Sequence, residues 1–555
     1  MPVQQTCRHC QSLFEVTNDD LVFYDRVSPV FAGKKELIPP PTLCPDCRQQ
    51  RRLTYRNELR LYRRKCSKCN EEIVAMFSDT APYKVYCHHC WWDTSFDARN
   101  FGKEWDKKRS FSEQFAALIK HTPLPHLVIG DAENSDFTNY SWQNRNCYIL
   151  SSSDYNEDCY YSTYLFRSRS CVDCTFVDDS ELLYQCVDSK KCYDSQFLQQ
   201  CQNCSDCMYC YDCHSCQNCS GCVGQRNKKY CLFNEQLTEE EYEERKNALS
   251  PAILERNFEK LKLQFPHRFA ELEQCEHSTG NHLQSCKNAE RCFDLVEAID
   301  CRYCALGFKL KDCMDCTGTT GCELLYQSVA SPENYSMQFS SVIWPKSSFL
   351  QYCLFSRASQ RCFGCVSLHK NEYCILNKQY TKEEYEKLVP EIIAKMRAEG
   401  EWGEFFPVSM SPFVYNETVA QEYFPMTKEE VLRRGWQWRD QKDEMPKVSK
   451  IIAAEKLPDD IANVPDNILI WAIECEATKR PFKIVKQELD FYRKMKLPIP
   501  HFHPDERHKR RMMLRNPRKL WSRNCAKCQK PIATSYPPER PEIVFCEACY
   551  LATVY

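Results

Sequence analysis

The chain has 555 residues, 40 of them Cys, and its 74 Lys+Arg nearly balance 76 Asp+Glu for a formal net charge of -2. That length suggests roughly three or four domains at about 100–200 residues each, and near-neutrality excludes a simple polycation, so any nucleic-acid surface must come from local segregation of charge. There is no run of 18 apolar residues to span a membrane, and the opening MPVQQTCRHC lacks the basic-then-apolar pattern of a secretory signal, so a cytoplasmic protein with reduced thiols is expected.

Twelve cysteines near the termini form CxxC pairs: Cys7/Cys10, Cys44/Cys47, Cys66/Cys69, Cys87/Cys90, Cys525/Cys528 and Cys546/Cys549. Zinc takes four tetrahedral ligands, and each CxxC turn offers two thiolates from one side. Pairs 66/69 and 87/90 are 17 residues apart, as are 525/528 and 546/549; the first quartet has a 33-residue insert. Three structural zinc sites are therefore expected, because segments this small lack the apolar surface to fold unaided. His88 and His89, inside CHHC, are read as ordinary surface of the second ribbon.

The first segment, "CRHCQSLFEVTNDDLVFYDR" followed by "PPPTLCPDCRQQRR", resembles the probable zinc-ribbon domain found in many uncharacterised bacterial proteins. More broadly the chain is similar to uncharacterised zinc-ribbon-containing proteins of candidate-phylum bacteria, through its Cys-rich middle and segments such as "GEWGEFFP" and "YNETVAQEYFP". The resemblance implies a fold and a metal but no reaction.

The module recurs. A shift of 459 residues lays the ribbon 66–90 onto 525–549 and "CPDCR" (44–48) onto "HPDER" (503–507), so Cys7, Cys10, Cys44 and Cys47 fall on Cys475, Thr478, His503 and Glu506. The second copy's first finger is read as demetallated and held by its apolar core, with a weak Cys475/His503/Glu506 site as the alternative. Between fingers, residues 48–65 hold eight Lys/Arg and one Glu, and 507–524 hold eight and no acid. A helix would place Arg52, Arg56, Arg60 and Arg63 along one face, with Arg510, Arg511, Arg515 and Arg518 as their counterparts in the second copy. Such a stripe suits a phosphate backbone. It equally suits a solvated helix, or one paired with acidic surface elsewhere in the chain.

In the middle, every Cys from 147 to 231 lies at a multiple of three, and the other multiples are mostly Ser, Leu or Val. Neither 3.6 nor 2 fits this period, so thin β-solenoid coils are predicted. The 15-residue spacing of Cys171, Cys186, Cys201, Cys216 and Cys231 suggests fifteen residues per coil with five inward positions. The pattern resumes in a second phase from Cys286 and a third from Leu350, and each half ends on a capping-box helix start, Thr238/Glu241 and Thr381/Glu384. Reduced Cys is a small hydrophobe suited to a narrow core; eight Cys in 201–222 leave metal storage or redox buffering as alternatives.

The expected fold is thus mainly β: zinc ribbons at both termini flanking a Cys-rich β-solenoid with interspersed helices. In chain order the domains are a zinc finger (1–60), a ribbon (61–95), a linker with a short helix at 111–120 (96–140), the first solenoid half (141–236), a helical insertion (237–274), the second half (275–380), a helix (381–400), an aromatic-rich arm and linker (401–470), a degenerate finger (471–524) and a ribbon (525–555). No catalytic motif stands out: there is no G-x-S-x-G, P-loop, G-x-G-x-x-G or H-E-x-x-H. The expectation is a non-enzymatic zinc-binding scaffold that binds RNA or an RNA–protein assembly through the basic linkers, or else other proteins, with no membrane and no evident small-molecule substrate; thiol-based metal storage is the third reading.

Overall fold

A computed structural model describes residues 3–135, 137–440 and 446–555; the end of the aromatic-rich stretch, 441–445, lies outside the described residues. A β-solenoid runs from Ile129–Gly130 to Glu372–Ile375 between terminal tetracysteine clusters. Its strands are parallel and pair at a step of twelve: Tyr148 with Tyr160, Thr163 with Thr175, Gln196 with Met208 and Gln217 with Lys229. One coil is therefore twelve residues, four sides of three with four inward positions, and the expected fifteen-residue coil is corrected. Fifteen is one coil plus one side, so the column Cys171, Cys186, Cys201 climbs the solenoid diagonally.

Each corner is made by the residue before an inward one, in the left-handed region: Asn146, Ile149, Ser152 and Tyr155 have φ of 53°, 53°, 51° and 62°. For L-residues this region is costly, and it is offset by hydrogen bonding between coils. Tyr148 N–H donates to Cys159 O at 3.1 Å, and the corner residue Tyr155 donates back to Trp142 O at 3.0 Å. The N–H of an inward residue can instead be met by a side chain one coil earlier: Leu165 by Ser153 Oγ at 3.0 Å and Cys174 by Ser162 Oγ at 2.9 Å. Inward hydroxyls and thiols donate to carbonyls in turn, Ser162 Oγ to Tyr160 O at 3.0 Å and Cys201 Sγ to both Gln199 O and Cys210 O at 3.4 Å. A narrow interior favours small side chains, and buried backbone favours ones that hydrogen-bond, which explains why Cys and Ser share the period with Leu.

The solenoid is two stacks, not one. The first closes on the antiparallel pair Leu232–Glu235 and the second on Ile375–Lys378. The helices that follow, Glu239–Asn247 and Lys382–Ala398, begin with the expected capping boxes at Thr238 and Thr381. Each inserts a buried tyrosine, Tyr242 and Tyr385, over the last coil. The stacks lie side by side: Lys190 Nζ reaches Gln284 Oε1 at 2.8 Å, and Arg515 bridges Asp188 of the first stack and Asp294 of the second at 2.9 and 2.6 Å. A shift of 142 residues superposes their sequences until one extra residue enters the second stack, where Tyr335 pairs with Ser348 at a step of thirteen. That insertion is the origin of the third phase.

The two terminal modules are crossed over this pair. Strand Val85–Tyr86 of the first module pairs with Leu124–Pro125, which leads into the first stack; Val544–Phe545 of the second pairs with His267–Arg268, which leads into the second. Yet the helix Pro45–Leu53 lies against the second stack and Pro504–Met513 against the first. Each module therefore straddles both stacks. The expected amphipathic helix is present as Phe111–His121. The aromatic-rich arm is packed rather than free: Phe406 stacks on Phe115 at 4.8 Å, Trp402 lies against Tyr352 and Phe363, and Tyr415 stacks on Trp436 at 5.3 Å. Among the described residues no helix is long and apolar enough to cross a membrane.

Candidate metal centres and the arginine docks

Each tetracysteine cluster is assembled the same way. The first CxxC sits on a hairpin turn completed by a left-handed residue four positions after the first Cys: Gln11, Asn70 and Gln529, with φ of 62°, 63° and 62°. The second CxxC opens a helix, with Cys44, Cys87 or Cys546 as N-cap. Free amides at a helix start favour the thiolate that a metal needs. The four sulfurs of Cys7, Cys10, Cys44 and Cys47 lie within 4.8 Å of one another, as do those of Cys66, Cys69, Cys87 and Cys90 and those of Cys525, Cys528, Cys546 and Cys549. Zinc–sulfur bonds of ~2.3 Å in a tetrahedron place sulfurs about 3.8 Å apart. Cys10–Cys44, Cys69–Cys87 and Cys528–Cys546 are 3.6, 3.8 and 3.6 Å apart, so each cluster fits a tetrahedral ion.

The surroundings divide the protons unequally within a cluster, pushing Cys47, Cys87, Cys90 and Cys549 up and holding one neighbour in each cluster down. Burial pushes the Cys66 thiol up, but the amides of Cys69, Cys87 and Lys68 outweigh it and hold it at about 7. Cys525 is brought to about 6 in the same way, burial being outweighed by the amides of Cys528, Cys546 and Lys527. The thiol of Cys47 donates to Cys44 and, against burial, lowers it to about 4.

The solenoid thiols differ in geometry: burial pushes Cys159 and Cys201 up, hydrogen bonds from neighbouring thiols hold Cys174 and Cys213 down against burial, and the sulfurs are directed at carbonyls. Among the described residues no group outside the three clusters brings three ligand atoms within 4.8 Å of one another. The inward thiols pack against backbone carbonyls instead of converging on a common point. Cys475, His503 and Glu506 do not form a fourth cluster: the His503 imidazole accepts Asp505 N–H at 3.1 Å, and Glu506 pairs with Arg510.

The predicted arginine stripe is not formed. The helix that carries Arg52 ends at Leu53, and Arg63 lies on the strand Tyr62–Lys65. Arg48 and Arg52 are buried against the second stack, donating to the two oxygens of Asp315 at 2.7 and 3.0 Å. Their counterparts Arg507 and Arg511 grip Asp173 of the first stack, Arg511 at 2.7 Å. The shifts of 459 and 142 residues relate every member of these two docks. Arg56 pairs with buried Glu58 and donates to Ser152 Oγ; Arg60 pairs with Asp505 at 2.5 Å. Arg515 holds Asp188 and Asp294 and lies 3.5 Å over the Phe176 ring, while Arg518 holds Asp294 at 2.8 Å. Only Arg63 and Arg510 of the eight candidates are exposed, and Arg510 pairs with Glu506. The linkers thus pair with acidic groups of the chain itself. Asp173 and Asp315 are the residues that sequence reasoning missed; their only signal is an acid at matching corners of two repeats.

No protein-family model matches the chain, and no curated protein is similar to it. The resemblance to zinc ribbons therefore rests on the tetracysteine geometry and identifies no family.

Proposed function

We propose that the protein is a non-enzymatic zinc-binding scaffold that organises other protein chains, with three zinc ions as structural staples. The fate of the linker arginines carries this reading: a surface built to hold RNA would leave them free, whereas seven of the eight candidates are in ion pairs within the chain. In each cluster all four donors are thiols of the chain, so a bound zinc has no open position for water or substrate. The solenoid's outer columns supply the binding surface. Along one of them Glu133, Arg145, Glu157 and Arg169 alternate in charge, with Arg145 and Glu157 3.7 Å apart. The same column carries exposed Tyr193 and, at the matching place in the second stack, exposed Tyr335. Alternating charge with projecting rings suits a protein surface better than a uniformly negative polymer.

Two measurements test this. Elemental analysis of protein purified without added metal should return about three zinc per chain, one per cluster; clearly more, or substantial iron or copper, would make metal handling the leading function. Fluorescence anisotropy with a mixed-sequence single-stranded RNA should show no more than weak, non-specific binding at physiological salt. Tight binding that steepens at low salt and is lost on Arg63→Glu would restore the RNA reading.

A further inference from the structure

The internal duplication places the same locus twice, where a linker, a solenoid stack and the opposite finger meet. In the second stack it is nearly closed: Asp46, Arg291, Tyr303 and Arg518 line a space of about 20 Å³. In the first stack the shifts of 142 and 459 residues put Ile149 in the place of Arg291 and Leu59 in the place of Arg518, and a cleft of about 720 Å³ stands open. That volume lies in the usual range for small-molecule sites, about 300–1,000 Å³.

The floor of the cleft is apolar and largely aromatic, from Leu59, Tyr148, Ile149, Tyr161, Phe482 and Ile484. Its edge carries Arg63, Lys483 and Lys486, all exposed. Among the described residues none of the three has a carboxylate partner within ion-pair distance. The acid beside them, Asp505, is already held by Arg60 at 2.5 Å and Arg480 at 2.7 Å. Among the described residues the cleft therefore presents positive charge without a paired acid, above an apolar floor. A second observation is independent of charge. Ile149 has φ of 53°, a conformation that β-branched residues rarely accept, and among the described residues only Val342 shares it. Arg291 occupies the same corner of the second stack at 49° without β-branching. A strained, short, apolar residue thus stands where its counterpart is a long side chain that lines the nearly closed locus, and strain of this kind gathers at ligand sites.

From these features we infer that the cleft between the first stack and the degenerate finger binds a small amphipathic anion: a flat apolar body seated on Tyr148, Tyr161 and Phe482, with a carboxylate or phosphate reaching Arg63, Lys483 and Lys486. Neither the apolar floor nor the three cations would be satisfied by an inorganic ion or a neutral hydrocarbon alone.

The test is titration of the full, metal-loaded chain with 1-anilinonaphthalene-8-sulfonate, followed by fluorescence. One saturable site is expected. Ile149→Arg, which copies the nearly closed locus and relieves the backbone strain, should weaken binding at least tenfold with metal content and circular dichroism unchanged. Lys483→Glu with Lys486→Glu should weaken it at least threefold, more so at low salt, and Ile299→Arg on the outer surface should leave it unchanged. Displacement by decanoate would assign a carboxylate ligand, and displacement by adenosine 5′-monophosphate a phosphate one. The inference is overturned if no saturable binding is seen, if neither competitor displaces the probe, or if both Ile149→Arg and Leu59→Arg bind it as tightly as the unaltered chain.

Discussion

The two first fingers share a backbone plan but differ in what holds them. In the N-terminal finger the strands Val3–Thr6 and Leu13–Val16 bring Cys7 and Cys10 to Cys44 and Cys47. In the C-terminal one the pair Trp471–Glu474 and Pro481–Phe482 is kept, and so is the turn: Lys479 has φ of 58° and its N–H reaches Cys475 O at 2.9 Å, as Gln11 reaches Cys7 O at 3.0 Å. The metal set is gone. In its place Lys450–Ala453 adds a third, parallel strand, and the segment after it buries Leu457, Ile461, Val464 and Ile468 against Ile473, Cys475 and Phe482. The stretch 446–470, expected to be a linker, is thus the core that replaces the staple. Four such side chains contribute roughly 6–12 kcal/mol at about 1.5–3 each, comparable with the ~10–16 kcal/mol that zinc supplies to isolated fingers. The same hairpin-and-helix plan is thus closed either by four convergent thiols or by an added strand and its apolar packing.

Removing the metal should separate the two fingers most sharply. With a zinc chelator present, amide hydrogen exchange should accelerate by orders of magnitude across 3–16 and in the ribbons 66–90 and 525–549, while 450–494 keeps its protection. Equal loss of protection in both fingers would mean that the apolar core does not stand in for the metal.

The next largest effect concerns the docks. Asp315→Ala leaves the buried Arg48 and Arg52 without a carboxylate, and Asp173→Ala leaves Arg511 so while Arg507 keeps Glu488 at 3.3 Å; each should cost about 3–5 kcal/mol, read as a lowered denaturant midpoint. The consequences should differ by half. After Asp315→Ala the N-terminal finger remains folded around its metal and only its docking loosens. After Asp173→Ala the helix Pro504–Met513 loses its grip on a finger with no metal, and exchange should rise through 486–513. Indistinguishable exchange patterns in the two variants would contradict the assignment of separate supports.

These supports were unequally legible in the sequence. The tetracysteine clusters follow from spacing alone, because a CxxC turn and a second pair leave zinc chemistry little latitude. The solenoid was readable from its period of three, which reports which residues face inward. The period does not report how many sides close a coil, since closure depends on left-handed corners at residues such as Tyr155, Phe176 and Leu182, whose types carry no such preference. The arginine stripe failed for a related reason. Counting charges along 48–65 cannot see Asp315, some 260 residues away and brought beside Arg52 only by the fold. Ile149 is the converse case, a residue ordinary in composition that becomes informative only when laid on Arg291.

The smallest expected effect isolates the one side chain that replaces a ligand at a helix start. His503 occupies the N-cap where Cys44 stands in the other finger, and its Nδ1 accepts the Asp505 amide. Burial, against the attraction of Asp505, lowers its pKa from the ordinary value of 6.5 to about 4. The folded state therefore binds fewer protons than the unfolded chain between those values, so this contribution to stability is complete above pH 6.5 and is lost as pH falls toward 4. Protonation removes the acceptor and sets a positive charge at the positive end of a helix, both unfavourable. For a mostly buried ring the loss should amount to about 2 kcal/mol. Acid also strips thiolate-bound metal from the other sites, so the informative quantity is a difference. His503→Asn keeps an N-cap acceptor that does not titrate, and the gap between its denaturation midpoint and that of the unaltered chain should shift in the variant's favour by that amount between pH 7 and pH 4.5. A gap independent of pH would show that the imidazole is not the acceptor, and that the apolar core alone positions the helix.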